Sequence, residues 1–401
     1  MGFRALCLGL CCVLLASHIY INVPGNVEEY WKVMALEMGV KTFKFMGTCL
    51  ENIGIMTLEE FISVILTLDY TQPLSDEYVT VTDTAFVDTS VRLYLPKRKS
   101  EIPRPAVIYI HGGGFSFGSF KQKAFDSMNR QTANKLNAVV VGVDYRLSPQ
   151  HHFPTHFEDS FTAVKFFLQD KILSEYGVDP TRICISGDSS GGTLAAAVAL
   201  QVQNDIEMKR KIKLQALIYP SLQIIDSYLP AHRENEHAII LSRDMGIRLM
   251  SSYLTNDKTF AQAMRRNQHM PLESRHLFKF VNWSILLPEK YRKDHVYTEP
   301  VLGRYNYSLP ALMDVRASPL LANDSLLQNL PSTYIITCQH DLTRDDGFMY
   351  AARLQNVGVQ VTHDHIENGF HGALSFMASP VYLHLGLKIS DMYISWLDKN
   401  L

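Results

Sequence analysis

A five-residue motif at positions 187–191, Gly-Asp-Ser-Ser-Gly, sets the strongest constraint on how this chain folds. It follows an apolar, β-branched run at 181–186 that favours a strand, and it opens into an alanine-rich stretch at 193–200 that favours a helix. A GxSxG sequence between a strand and a helix is typical of a sharp, strained turn that exposes its serine above a sheet. The motif therefore predicts an α/β fold in which Ser189 is a nucleophile.

The remaining residues of the motif support the same turn. Gly187 and Gly191 have no Cβ, so neighbouring backbone can approach both positions closely. Asp188 completes the motif. Because a pentapeptide of this kind also occurs around serines that do no chemistry, the assignment needs a second, independent element.

That second element lies upstream, where the apolar run 106–110 ends in His111 and three glycines, Gly112, Gly113 and Gly114. An HGGG sequence after a strand supplies backbone amides to the oxyanion hole of lipases and esterases. Amides of glycine can approach a negatively charged oxygen closely because no side chain intervenes. Two separate parts of the chain thus predict acyl-transfer chemistry.

We predict that the amides of Gly112, Gly113 and Ser190 form this oxyanion hole. The alternative is that the glycines bind a phosphate, which requires GxGxxG or a Gly-Lys-Ser/Thr ending. The glycine spacing here runs from 112 to Gly114 and Gly118, and neither glycine cluster is followed by Gly-Lys-Ser/Thr. The spacing therefore favours the oxyanion hole over a phosphate or dinucleotide site.

A serine nucleophile needs a base that a carboxylate orients, and in hydrolases of this type the order along the chain is Ser, Asp or Glu, then His. Asp341 follows a strand-like run at 333–338. His371 stands between glycines in the loop 368–372. We therefore predict that Asp341 is the acid and His371 the base.

Both assignments have rivals. Asp345 and Asp346 follow Asp341 closely, but they stand where a helix begins, a position in which carboxylates satisfy free amides of the first turn. His363 and His365 alternate along a predicted strand, share one face and are candidates for metal ligands. Because neither a third ligand nor an HExxH pattern accompanies them, we expect an exposed polar strand face and no metal site.

Strand-like and helical segments alternate along much of the chain, which predicts a mostly parallel central sheet flanked by helices. Between 221 and 304 this alternation stops, and the segment is rich in Met, Arg, His and aromatic residues, so we interpret it as a helical cap. The predicted organisation is a leader at 1–22, an N-terminal region with cap helices at 23–100, a first core part at 101–220, the cap at 221–304 and a second core part at 305–401.

The N-terminal segment predicts entry into the secretory pathway. Arg4 precedes an apolar stretch at 5–17, which suits a signal peptide, whereas a spanning helix needs about 20 apolar residues. The positive charge before the stretch places the body of the protein on the non-cytoplasmic side in either case. Membrane association through this segment and secretion after its cleavage both remain open.

Charge and sequons limit the partners further. The net charge of −2 and the lack of a basic run argue against nucleic acid as a partner, so we expect a small-molecule or lipid ester or amide. Three Asn-x-Ser sequons, at Asn282, Asn306 and Asn323, are candidate glycosylation sites and are compatible with a lumenal or extracellular location.

Taken together, these motifs resemble the hormone-sensitive-lipase branch of the α/β-hydrolases. The resemblance rests on 111–114, 144–149 with 153–154, 187–192, Asp341 and 369–372. Within that branch, the apolar N-terminus and the stretches 96–100 and 277–283 are similar to the arylacetamide deacetylase group. Where the family's turn usually has alanine after the nucleophile, this chain has Ser190.

The resemblance implies an α/β-hydrolase fold with a helical cap and a cofactor-independent serine esterase or amidase. Such enzymes cleave carboxylic esters, aryl amides or neutral lipids through an acyl-enzyme, and it implies Ser189, Asp341 and His371 as the triad. It also implies retention in the endoplasmic reticulum membrane with a lumenal catalytic domain. The alternatives are a neutral-lipid lipase with the same chemistry and a non-catalytic ligand-binding protein on the same fold, which would lose the catalytic histidine.

Overall fold

The computed structural model describes residues 23–305, 309–379 and 381–401. The predicted leader at 1–22 and the sequon at Asn306 lie outside the described residues. Among the helices of the described residues, none is long and apolar enough to cross a membrane.

An eight-stranded sheet forms the centre of the described part of the chain. Its strands lie in the order β1-β2-β4-β3-β5-β6-β7-β8. Strand β2 runs antiparallel to both of its neighbours, β1 and β4, whereas strands β3 to β8 are all parallel to one another. This arrangement confirms the predicted mostly parallel sheet. The strands are β1 Val79–Phe86, β2 Thr89–Pro96, β3 Arg104–Ile110, β4 Val139–Asp144, β5 Val178–Asp188, β6 Leu214–Ile218, β7 Ser332–His340 and β8 Val361–Phe370.

Helices flank the sheet. They are α1 Tyr30–Asn52, α2 Leu58–Thr67, α3 Lys123–Leu136, α4 Thr155–Phe167, α5 Asp170–Glu175, α6 Ser190–Asn204, α7 Pro230–Glu234, α8 Arg243–Leu254, α9 Lys258–Arg265, α10 Trp283–Leu286, α11 Glu289–Arg292, α12 Asp324–Leu327, α13 Arg344–Asn356 and α14 His384–Asn400. Short 3₁₀ helices span Leu272–Phe280, Pro310–Met313, Pro319–Leu321 and Ala373–Phe376, and a small hairpin pairs β9 Met377–Ala378 with β10 Val381–Tyr382.

The inner strands are apolar along their length because helices cover both faces of the sheet. All five residues of β6 are buried, as are 105–110 of β3. Helix α6 is buried almost all round, and its small residues, four of them alanines between 195 and 199, let it pack closely on β5 and β6. Burial of this helix fixes its first residue, and with it Ser189, at the carboxyl end of β5.

The N-terminal region differs from its sequence interpretation in one respect. The range 23–100 contains the predicted helices, but it also contains β1 and β2 of the main sheet. Strand β1 lies at the edge and alternates, with Val79 and Val81 buried and its other face partly exposed. That short alternation lacks the continuous apolar run by which the inner strands are recognised.

Helices α1, α2 and α8 together form what we call the lid. Arg248 of α8 binds Glu51 of α1 and Glu59 just inside α2, each through two hydrogen bonds of 2.5–2.9 Å. The buried Glu37 carboxylate of α1 accepts the Ile240 N–H at 3.0 Å. Charged contacts therefore join two helices near the N-terminus to the segment between β6 and β7.

Two of the predicted glycosylation sites lie within the described residues. Asn323 is exposed, whereas Asn282 is half-buried. Each side chain caps a short helix by accepting a backbone N–H, from Leu326 and Ser284 respectively. Glycosylation at these sites stays a prediction.

Candidate active site

Ser189 occupies the turn between β5 and α6. Its backbone has φ 52° and ψ −123°, a conformation that is strained for a residue with a side chain. Its N–H donates to the Ile218 carbonyl of β6 at 2.9 Å, which fixes the turn to the neighbouring strand. This is the geometry expected of a nucleophile held above the end of a sheet.

The glycine at 191 is required by close packing at this turn. A Cβ on Gly191 would overlap the carbonyl oxygens of Ile110 and His111, and a Cβ on Gly187 would overlap the Gly191 carbonyl. The first turn of α6 therefore lies directly against the end of β3. This contact brings the serine and the glycine-rich loop after β3 together.

The structure brings the three predicted triad residues within hydrogen-bond distance of one another. Ser189 Oγ lies 2.8 Å from His371 Nε2, and His371 Nδ1 lies 2.8 Å from Asp341 Oδ1. A carboxylate accepts hydrogen bonds, so Nδ1 carries the ring proton and Nε2 is left to accept from the serine. Asp341 and His371 are both buried.

The acid is itself held in place. Asp341 Oδ1 also accepts the N–H of Thr343 at 2.8 Å and its hydroxyl at 3.1 Å, and the Asn235 side chain donates to the Asp341 carbonyl at 3.1 Å. The Tyr219 ring packs on the imidazole, with centroids 4.9 Å apart. The sequence motifs predict none of these neighbours, because Asn235 and Tyr219 come from distant parts of the chain and Thr343 belongs to no motif.

The rival carboxylates lie elsewhere. Asp345 and Asp346 stand in the first turn of α13, as expected, but they accept amides of other segments, from Ala231 and Leu222 respectively, and not of their own helix. Both are buried, which raises the pKa of each and brings that of Asp346 to about 8. They fasten the segment after β6 to α13.

His363 and His365 do not form the exposed polar face expected for them. Both rings are half-buried, and both bond to the hydroxyl of Thr337 on β7 at 2.9 Å. The Phe348 ring of α13 packs against them. The expectation failed because α13 covers this face of β8. Within the described residues, no group of three or more His, Cys, Asp and Glu side chains is arranged to hold a metal ion.

The amide of Gly112, predicted to face the oxyanion, has another partner. It donates to Asp188 Oδ1 at 2.9 Å, and the same oxygen accepts the Tyr109 hydroxyl at 2.8 Å. Burial raises the pKa of Asp188. Asp188, predicted only to support the motif, therefore fastens the glycine-rich loop to the serine turn.

Two amides further along the loop are available instead. Gly113 and Gly114 have φ 122° and 58°, which residues with a side chain rarely adopt. In the ranges that the structure describes, their N–H groups and that of Ser190 have no hydrogen-bond acceptor, and all three residues line the cavity at Ser189. The geometry thus favours Gly113, Gly114 and Ser190 as oxyanion donors in place of the set that includes Gly112.

Two side chains hold this loop in place. The hydroxyl of Ser190 accepts the Phe115 N–H at 3.2 Å. The ring of His111 stacks on Tyr145, with centroids 4.5 Å apart, and its Nδ1 lies 2.7 Å from the Gly112 carbonyl. The first and last parts of the loop are therefore both tied to buried neighbours.

A cavity of about 610 Å³ opens above Ser189 and His371. Phe117 lines the cavity, whereas Phe115 and Phe370 belong to the core and Phe153 packs against it. Most of the wall was not predicted from the sequence. About half of its apolar residues come from the lid, among them Val40, Phe43, Phe61, Ile62, Ile65, Leu66, Met245 and Leu249. Their spacing of three or four along helices was the one available signal.

Comparison with known proteins places the chain in a family. A family model described as "alpha/beta hydrolase fold" matches residues 107–277 and 281–375. Arylacetamide deacetylase-like 2 from Homo sapiens is 72% identical over all of both chains, and arylacetamide deacetylase from Bos taurus is 49% identical over 97% of each. The crystal structure of EstE1, a thermostable carboxylesterase from a metagenomic library, matches with a TM-score of 0.60 and 28% identity over 86% of this chain and 95% of that one.

The match to the relative from Homo sapiens extends over the whole chain, including residues 1–22, the lid and the core. The fold, the order of the motifs and the relatives agree with one another. This chain belongs to the α/β-hydrolase fold family and, within its hormone-sensitive-lipase branch, to the arylacetamide deacetylase group.

Proposed function

We propose that this chain is a serine esterase or amidase that cleaves carboxylic esters or aryl amides. The observation that carries the proposal is the continuous hydrogen-bonded array from Ser189 through His371 to Asp341, with both distances at 2.8 Å. The names of the relatives, a deacetylase and a carboxylesterase, support the same reaction class.

The first step forms an acyl-enzyme. Ser189 Oγ attacks the substrate carbonyl while His371 Nε2 takes its proton, and the carbonyl electron pair moves onto the oxygen. The amides of Gly113, Gly114 and Ser190 stabilise that negative charge. When the intermediate collapses, the bond to the leaving group breaks, and His371 gives the proton to the departing alcohol or amine.

The second step releases the acid. Water takes the place of the leaving group, and His371 removes a proton from it as it attacks the acyl-enzyme carbonyl. Collapse of this intermediate breaks the bond to Ser189 and returns the proton to Oγ. Asp341 keeps the imidazole in one tautomer and stabilises its charged form throughout. The sequence of steps uses only side chains and backbone amides, with no cofactor.

The cavity supports an apolar acyl or aryl group. Its walls are mostly aliphatic and aromatic side chains, many of them from the lid, and they enclose about 610 Å³, within the usual range for small-molecule sites. A site of this kind suits neutral esters and aryl amides better than charged substrates.

A single substitution tests the proposal. Ser189→Ala should abolish hydrolysis of p-nitrophenyl acetate and labelling by a fluorophosphonate probe, because no oxygen remains to attack. Ser174→Ala, an exposed serine on α5, is the matched control and should retain both activities. Circular dichroism and the melting temperature establish that both variants are folded.

The result also separates the enzyme from a ligand receptor. A folded Ser189→Ala protein that still turns the ester over would refute the assignment of the nucleophile. A wild-type protein that neither hydrolyses esters nor reacts with the probe would support a non-catalytic binding protein instead.

A further inference from the structure

Helix α1 presents an apolar face to solvent. Residues spaced three or four apart lie on one side of it, and none is charged; we call this side the outer face, and it consists of Trp31, Ala35, Met38, Thr42, Met46 and Cys49. Trp31 is 73% exposed, and Met38 and Met46 are exposed as well. The hydroxyl of Thr42 donates to the Met38 carbonyl of its own helix, so the outer face offers solvent little hydrogen-bonding capacity.

The opposite side of α1 is fastened to the body. Val33 is buried, Glu37 accepts the Ile240 N–H, and a Cβ on Gly47 would meet the side chains of Leu58 and Phe61. A helix held by one side presents its other side in a fixed orientation. The outer face is therefore a surface of fixed orientation. Monomeric soluble proteins rarely expose contiguous apolar patches of this kind without a partner.

The apolar surface continues past the end of α1. Ile53 and Ile55 in the connection, Val64 on α2 and Leu68 just after it are all exposed. Two exposed residues, Phe43 and Leu68, also line the cavity that contains Ser189. The mouth of the cavity thus lies within this apolar surface.

We propose that the outer face of α1 and the α2 end of the lid dock on the surface of a lipid bilayer. A helix with one apolar, aromatic-containing face lies in the plane of a membrane interface, with that face in the boundary between headgroups and acyl chains. Docking in this orientation would place the cavity mouth at the lipid, so that an apolar ester could enter without crossing water.

The position of the N-terminal apolar segment supports a bilayer as the occupant. Residues 1–22 end seven residues before α1 begins, and seven residues span at most about 25 Å. Any membrane that holds this segment is therefore within reach of the outer face. A second copy of the chain seated on the same surface would instead cover Phe43 and Leu68 and close the cavity mouth.

Tryptophan fluorescence in the full-length protein tests the docking. The other two tryptophans, Trp283 and Trp396, are buried at 1% and 8% exposure, so Trp31 is the natural reporter. The probe is a vesicle of phosphatidylcholine with brominated acyl chains, compared with the same vesicle without bromine. We expect Trp31 to lose fluorescence in the brominated vesicle, and Trp31→Phe to abolish that loss.

The N-terminal apolar segment alone would bring Trp31 near the membrane. The far end of α1 therefore distinguishes a docked helix from a tethered one. A tryptophan at position 46, in Trp31→Phe/Met46→Trp, lies about 22 Å further along α1 and should also be quenched. The matched control is Trp31→Phe/Ile206→Trp, because Ile206 is 98% exposed and follows the end of α6 remote from Ser189. It should not be quenched.

Three outcomes would overturn the proposal. Quenching at position 31 without quenching at 46 would mean a tethered protein whose outer face stays in water. If neither position is quenched and the protein is a dimer in solution that Met38→Glu dissociates, the occupant is a second copy of the chain. Equal quenching at 31, 46 and 206 would indicate non-specific adsorption and would also contradict it.

A kinetic experiment rests on the proposed function and distinguishes a failure of the docking proposal from a failure of the proposed function. Met38→Glu and Met46→Glu lie outside the cavity wall and should slow hydrolysis of a vesicle-borne ester about tenfold or more, through loss of apolar burial, while leaving hydrolysis of p-nitrophenyl acetate unchanged. Ile206→Glu should change neither rate. A wild type inactive on both esters would refute the proposed function without touching the fluorescence result.

Discussion

The hydroxyl of Ser190 joins the two parts of the proposed oxyanion hole. Its backbone N–H faces the cavity, and its Oγ accepts the Phe115 N–H at 3.2 Å. Ser190→Ala keeps the first interaction and removes the second, so the glycine-rich loop loses one of its ties. We expect kcat for p-nitrophenyl acetate to fall by about twofold to tenfold, the worth of one hydrogen bond, with KM nearly unchanged.

The control for this prediction is again Ser174→Ala, and fluorophosphonate labelling should remain complete in Ser190→Ala because Ser189 is intact. An unchanged kcat would show that the loop is held without this bond. A change confined to KM would show that the hydroxyl acts on substrate binding and not on the transition state.

The site could be predicted where its signals are local. Ser189 has a strand, a glycine and a helix in immediate sequence, and Asp341 and His371 each follow a strand end in the expected order. The Gly112 amide was assigned wrongly because its partner, Asp188, is 76 residues away and the motif does not show which way a loop amide points. Contacts of this length become visible only when the strands are placed side by side.

One arginine connects all three lid helices. Arg248 of α8 donates to Glu51 of α1 and to the buried Glu59 of α2 at the same time. Arg248→Met should leave that carboxylate unpaired and weaken the attachment of α1 and α2 to α8 by about 2 kcal/mol. Hydrogen exchange at residues 30–67 should accelerate, while exchange in the central sheet should not change.

A matched control lies on the neighbouring helix. Arg265 of α9 forms an ion pair with Asp244 of α8, and both side chains are exposed to solvent. Exposed ion pairs of this kind contribute little to stability. Arg265→Met should therefore leave exchange at 30–67 unchanged. If exchange at 30–67 accelerated equally in both variants, the substitutions would have destabilised α8 itself. That result would contradict a specific role for Arg248.

Elements were predictable from sequence in proportion to their burial. Strands such as β3 and β6 show continuous apolar runs because both of their faces are covered. The helical character of the N-terminal region and of the cap was also visible. The edge strand β1 was not, since a half-buried strand carries only a short alternation, and its neighbour β2 has a buried arginine, Arg92, within its apolar run. The sequence did not show that Arg248 would meet carboxylates almost 200 residues away.

At the scale of the whole molecule, buried histidines make the fold sensitive to acid. Burial lowers the pKa of His156 to about 3 and those of His269, His363 and His365 to about 4. An unfolded chain binds a proton at each of these sites below about pH 6.5, whereas the folded chain does not until about pH 4. These groups therefore stabilise the fold above pH 6.5, and that stability is lost as the pH falls from 6.5 towards 4.

Buried carboxyls act in the opposite direction. Burial raises the pKa of Asp226 to about 6 and that of Asp346 to about 8, so the fold keeps protons that the unfolded chain releases above about pH 4. Burial raises the pKa of Asp188 and Asp345 as well. Between pH 4 and 6 the histidines, which also include His232 with a pKa lowered to about 3, outnumber these carboxyls, and stability rises with pH. Above pH 6.5 the fold still keeps the proton of Asp346, and stability falls again towards pH 8.

The melting temperature should accordingly be highest between about pH 6 and 7 and lower at pH 5 than at pH 8, since more groups titrate on the acid side. Calorimetry in a series of buffers of equal ionic strength measures it. Asp346→Asn should flatten the decline above pH 6.5 and make the loss of stability below pH 6 steeper, because the carboxyl opposes the histidines over the whole interval from about pH 4 to 8. A melting temperature that rises steadily from pH 7 down to pH 5 would contradict this account.

The division of labour between strand ends and lid has an evolutionary consequence. The triad residues lie on turns at the ends of strands, whereas many of the apolar side chains of the cavity wall belong to helices α1, α2 and α8. Changes at positions such as Phe61 or Met245 can therefore alter which molecules are accepted without disturbing bond-breaking. Proteins that descend from one ancestral enzyme can therefore come to accept different substrates while they keep the same chemistry. We expect the sequence differences behind this divergence to accumulate in the lid.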